Sequence, residues 1–181
     1  MPLITAAGTQ YNSYVQGDFR RTSNSWTIPR YIHRPGRNRA WVTPIMLDAN
    51  VNTTIYAGYN EVYKSINQGG TYAAISSFGG STIRSLAVTP ASSNVICAAT
   101  QSALYRTTNG GSNWTNITGS LPTGSGSITY VWIKDNDAVI PFGFHLAVTI
   151  RLEFLSRPMG GTSWTNISVA LPALPVMCNS K

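Results

Sequence analysis

The apolar residues of this chain come in short runs. "TIYAGY", "VYKS", "IRSLAVTP", "NVICAAT", "ALYRTT" and "ITYVWI" are each bounded by Gly, Pro, Asn or Ser. Each predicts a strand of about four to seven residues, because short apolar or alternating runs between turn residues match the two-residue period of a pleated strand. No segment sustains the i, i+3, i+4, i+7 spacing that lays an apolar stripe along a helix. The expectation is an all-β chain.

The runs also recur as a unit. "SLAVTPASSNVICAATQSALYRTTNGGSNWTNIT" reads as a strand around Leu86 to Thr89, a Pro/Ser/Asn turn, a strand from Val95 to Thr100, a Gln-Ser turn, a strand from Ala103 to Thr107, an Asn-Gly-Gly turn and a last strand near Trp114. The preceding unit, "TPIMLDANVNTTIYAGYNEVYKSINQGGTYAAIS", aligns with it, including the ending Val62-Tyr63-Lys64-Ser65 against Leu104-Tyr105-Arg106-Thr107. Related turns begin at Arg157 ("RPMGGTSWTNIS") and, without the glycine pair, at Arg21 ("RTSNSWTI"), so that Trp26, Tyr72, Trp114 and Trp164 fall 46, 42 and 50 residues apart. Periods of about 40–50 residues with four short strands each predict the blades of a β-propeller. A single domain over 1–181 is expected, a partial propeller with approximate blades 1–40, 41–80, 81–125 and 126–175.

The glycine turn resembles the Asp-box of the bacterial neuraminidase repeat, whose pattern is Ser/Thr-x-Asp-x-Gly-x-Thr-Trp. Ser65, Asn67, Gly69, Thr71 and Tyr72 fit it with Asn for Asp and Tyr for Trp; Thr107, Asn109, Gly111, Asn113 and Trp114 fit it again. The third copy keeps Gly161 and Trp164 but carries Met159 and Arg157 where the acceptor and the hydroxyl belong. The wider unit is similar to the repeats of sortilin-type and oligoxyloglucan-hydrolase-type propellers, over about residues 41–133. The resemblance implies that the box is a structural turn between a blade's third and fourth strands, away from the central cleft. Its Asn side chains would accept backbone hydrogen bonds, as short polar side chains do in turns. It also implies a secreted bacterial protein, extracellular or at the cell surface, of which this chain is a fragment or shortened member.

Charge changes the picture locally. Of 181 residues only 10% are charged, yet the net charge is +7, and Arg20, Arg21, Arg30, Arg34, Arg37 and Arg39 supply six of the thirteen Lys and Arg side chains. With Trp26, Tyr31 and Trp41 interleaved, this segment suits an anionic partner such as a sulfated polysaccharide, held by Arg30, Arg34, Arg37 and Arg39. The other reading is a solvated loop, or a segment out of its ancestral reading frame. Residues 20–40 and 138–158 both leave the repeat abruptly, and both readings stay open.

Catalysis finds little support. The acidic residues are Asp18, Asp48, Glu61, Asp135, Asp137 and Glu153. Glycoside hydrolysis usually needs two carboxyl groups about 5–10 Å apart across a cleft, whereas Asp48 and the Asp135/Asp137 pair fall at turns after the first strand of their units. A sialidase would also need an arginine triad for the substrate carboxylate and a Tyr-Glu nucleophilic pair, but the arginines here cluster in one loop rather than one per blade. His33 and His145 stand without metal-ligand spacing, so neither a metal nor a cofactor is expected. Cys97 sits in an apolar run as a small core residue; pairing with Cys178 stays open. No run is long enough to span a membrane, and the first residues lack the pattern of a signal peptide.

These observations lead to the expectation of a noncatalytic binding or scaffolding module with a glycan or polyanion ligand. The alternative is a fragment of a sialidase- or xyloglucanase-like glycoside hydrolase without a complete active site. At most four blades can be counted, so an open arc that self-associates or meets missing blades is expected over a strained four-bladed disc.

Overall fold

The computed structural model describes residues 3–4, 8–14, 18–22, 30–32, 42–121, 128–133, 144–148, 153–157 and 163–166. Among them there is no helix, and the strands form four four-stranded antiparallel sheets. The first sheet holds β1 (Leu3–Ile4), β2 (Gln10–Tyr14), β3 (Asp18–Thr22) and β4 (Arg30–Ile32). The second holds β5 (Ile45–Leu47), β6 (Ile55–Gly58), β7 (Val62–Ser65) and β8 (Ala73–Ala74). The third holds β9 (Ser85–Thr89), β10 (Ser92–Ala99), β11 (Leu104–Thr107) and β12 (Thr115–Asn116). The fourth holds β13 (Ile128–Ile133), β14 (Phe144–Val148), β15 (Glu153–Arg157) and β16 (Thr165–Asn166). In every sheet the spatial order is the chain order, the simple meander of a propeller blade. The chain is an all-β, partial β-propeller.

Alternation along the strands decides which seam each side chain enters. In β6, Ile55 and Ala57 pack with Tyr11, Phe19 and Tyr59 against the first sheet. Tyr56, between them, joins Val62, Leu86, Val88, Ile96 and Ala98 against the third. In β9 and β10, Ala87, Cys97 and Ala99 turn the other way and meet Ile128, Val131 and Ile133 of β13. The central sheets are therefore apolar on both faces. β10 runs three residues earlier than the apolar pattern suggests, beginning at Ser92, because an irregular stretch between Ser92 and Ile96 extends its pairing with β9. A similar shift lies between Ile128 and Tyr130, which lets both Ile128 and Val131 reach the same cluster.

Candidate functional site

The glycine turns of the second and third sheets have one hydrogen-bond plan. The Ser65 hydroxyl donates to Asn67 Oδ1 at 2.9 Å and accepts the Gly69 N–H at 2.8 Å, while Asn67 Oδ1 accepts the Thr71 N–H at 2.8 Å. In the third sheet, Thr107 Oγ1 donates to Asn109 Oδ1 at 2.8 Å and accepts the Gly111 N–H at 3.0 Å, and Asn109 Oδ1 accepts the Asn113 N–H at 2.9 Å. Each turn is also tied to its own sheet through Gln68 N–H to the Thr53 carbonyl and Gly110 N–H to the Asn94 carbonyl. Gly69 and Gly111 have φ of 87° and 100°, a region costly for side chains. A Cβ on Gly111 would also lie 2.8 Å from Ile75 Cβ.

Beyond the turn, the aromatic residue reaches the sheet before it. Trp114 Nε1–H donates to the Ile75 carbonyl at 2.6 Å, and Trp164 Nε1–H to the Thr118 carbonyl at 3.0 Å. Tyr72 occupies the corresponding place at the first seam, where its hydroxyl and that of Tyr11 are buried without a hydrogen-bond partner among the described residues. Burial raises the pKa of both, partly offset by the nearby Arg21 guanidinium. Arg21 itself donates to the Gln68 carbonyl at 2.9 Å and to Gln68 Oε1 at 3.0 Å. Spacing gave no signal for this bridge, since its partners are far apart in the chain.

Two acidic side chains, Asp48 and Glu61, are fastened into the fold. Asp48, only 3% exposed, accepts the Asn50 and Val51 N–H groups at 2.9 and 3.2 Å, the Ser93 hydroxyl at 2.7 Å and the Tyr56 hydroxyl at 3.0 Å. It closes its own turn and pins it to β10. Burial and then the Asp48 charge push the Tyr56 hydroxyl's pKa up. Glu61 accepts the Phe78 N–H at 2.8 Å and the Ser76 hydroxyl. This holds the segment after β8 in place.

That segment forms one wall of a cleft of about 540 Å³ between the second and third sheets, with Phe78, Tyr105, Trp114 and Asn113 among its lining. Nothing in the repeat pattern marked it, because its walls come from consecutive units. Cys97 is buried with a free thiol, its pKa raised by burial, and Cys178 lies outside the described residues. So do Arg34, Arg37, Arg39, His33, Asp135, Asp137, Met159 and Gly161, as do the side chains of Arg30, His145, Glu153 and Arg157. Among the described residues no group of three or more His, Cys, Asp or Glu could hold a metal ion, and no helix is long and apolar enough to cross a membrane.

No protein-family profile and no curated protein matches the chain. Solved structures do. An ancestral GH74 enzyme superposes with a TM-score of 0.68 at 18% identity over 86% of this chain and 22% of its own. The GH74 xyloglucanase of Xanthomonas campestris gives 0.65 at 12% identity over 88% and 29%. YCF48 bound to a D1 peptide gives 0.60 at 10% over 90% and 52%. The chain thus spans between about a fifth and a half of these proteins, and the likeness establishes the propeller fold.

Proposed function

We propose that the chain is a noncatalytic propeller segment of the neuraminidase-repeat kind, a scaffold whose last described sheet docks another blade. The observation that carries this reading is at β13. Val131 and Ile133 pack onto the third sheet, so Tyr130 and Trp132 alternate to the opposite face, where they are 59% and 41% exposed. In the third sheet the position matching Trp132 is Ala87, 5% exposed beneath the fourth sheet, and in the second it is the half-buried Met46. An aromatic pair left on the surface that the repeat elsewhere covers suits docking of a further sheet, supplied by a second copy of the chain.

Light scattering at micromolar concentration tests it. Assemblies that dissociate when Tyr130 and Trp132 become serine would support the reading; a stable 19.6 kDa monomer would overturn it. The likeness to GH74 enzymes favours a second reading, a hydrolase fragment. Release of reducing ends from xyloglucan by the isolated chain would establish that instead. The structural use of Asp48 and Glu61 argues against those two carboxylates as its acid and base.

A further inference from the structure

We infer that the cleft between the outer parts of the second and third sheets binds a neutral glycan. Phe78 and Tyr105 stack there with ring centroids 4.0 Å apart and 13° between their planes, and Trp114 stands edge-on to Phe78 at 5.1 Å. All three rings are half-buried, and all line the cleft. Their positions are set beforehand. Glu61 clamps Phe78 and Ser76, and the Trp114 indole is bonded to the Ile75 carbonyl. A ligand would therefore meet walls whose ordering cost is already met by the fold.

Polar groups rim the rings. Ser77, Asn113 and Asn116 are exposed. The Asn113 N–H goes to Asn109 Oδ1, while its side-chain amide and the Ser77 hydroxyl have no hydrogen-bond partner among the described residues. Asn116 Oδ1 accepts the Thr118 N–H, which leaves its amide NH₂ to donate. The cleft lining contains no Asp, Glu, Lys, Arg or His.

Half-buried aromatic rings beside unpaired neutral amides and hydroxyls match a sugar, whose C–H faces pack on rings and whose hydroxyls both donate and accept. An anion would call for arginine or lysine in the lining. A peptide adding as a strand would need a long edge, and the edge strands β8 and β12 have two residues each. Asn113 and Asn116 also begin the sequons "NWT" and "NIT", so glycosylation at either would obstruct the cleft. The binding test therefore uses protein from a host that does not glycosylate. The site is separate from the Tyr130 and Trp132 face, so either proposal can fail alone.

Affinity electrophoresis in gels containing hydroxyethyl cellulose, galactomannan, dextran or heparin decides it. The expected result is retardation by at least one neutral polysaccharide that persists in high salt and is weakened about tenfold in the double variant Ser77→Ala, Asn113→Ala. Both changes remove exposed side chains, so the variant's unfolding transition should match the parent's. Tryptophan fluorescence should shift with the same polysaccharide, and Trp114→Phe should abolish that shift. No retardation by any neutral polysaccharide, retardation by heparin alone, or undiminished binding by the double variant would each overturn the inference.

Discussion

Between the second and third sheets, and again between the third and fourth, a tryptophan donates its indole N–H to a carbonyl of the preceding sheet, Trp114 to Ile75 and Trp164 to Thr118. Between the first and second sheets the aromatic residue is Tyr72, whose hydroxyl has no partner among the described residues, and the tie runs the other way. Arg21, from β3, reaches forward to Gln68 in the next sheet's turn. Phe19, Tyr59 and Tyr63 fill this seam edge to face, with centroids 5.8 and 5.9 Å apart. A repeat position therefore fixes where a seam must be closed, while the donor that closes it can come from either neighbour.

The largest effect expected is at the tryptophan seam. Trp114→Ala removes both packing and the indole donor and should cost about 3 kcal/mol in denaturant unfolding, whereas Trp114→Phe should cost about 1 kcal/mol. Equal costs would mean that the indole tie contributes nothing beyond packing. Next comes the turn that carries the ring. Gly111→Val adds a Cβ at positive φ and against Ile75, and should cost about 2 kcal/mol, against less than about 0.5 kcal/mol for the exposed Ser112→Ala.

At the first seam, Arg21→Met keeps most of the stem but removes the bonds to Gln68, and should cost about 1 kcal/mol. A loss as large as that of Trp114→Ala would mean that the arginine tie holds its seam as strongly as the tryptophan holds the next. The smallest effect should be that of Tyr72→Phe or Tyr11→Phe, within about 0.5 kcal/mol at neutral pH because each deletes a hydroxyl that is buried unpaired.

These phenylalanine variants also report on the first seam through pH. Tyr11, Tyr56 and Tyr72 hold their protons more tightly in the fold than the ordinary value of 10.0, and Cys97 more tightly than 9.0. Above those values the unfolded chain binds fewer protons than the folded one, so stability is complete below about pH 9 and falls as pH rises further. Tyr72→Phe should reduce that alkaline loss, measured as the slope of unfolding free energy against pH. An unchanged slope would show that Tyr72 takes no part in it.

The glycine turns could be read from the residues because everything they use is local. Hydroxyl, amide and glycine sit at fixed offsets, so Ser65 to Tyr72 and Thr107 to Trp114 carry their own geometry. The strands were equally readable, since apolar runs between turn residues name them, and the repeat orders them into blades. Asp48 was legible as a turn residue, but its bond to Ser93 of the next sheet was not.

Residue order thus carries the class of fold, the repeat and the turn chemistry. What happens between units is settled by the packing of one sheet on the next. That packing turned Arg21 toward Gln68, stacked Phe78 on Tyr105 beside a cleft and left Tyr130 and Trp132 exposed. Range separates the two. Backbone conformation and short side-chain bonds answer to residues a few positions away, but a seam joins residues about one repeat apart, and which of them meet depends on how one sheet packs against the next.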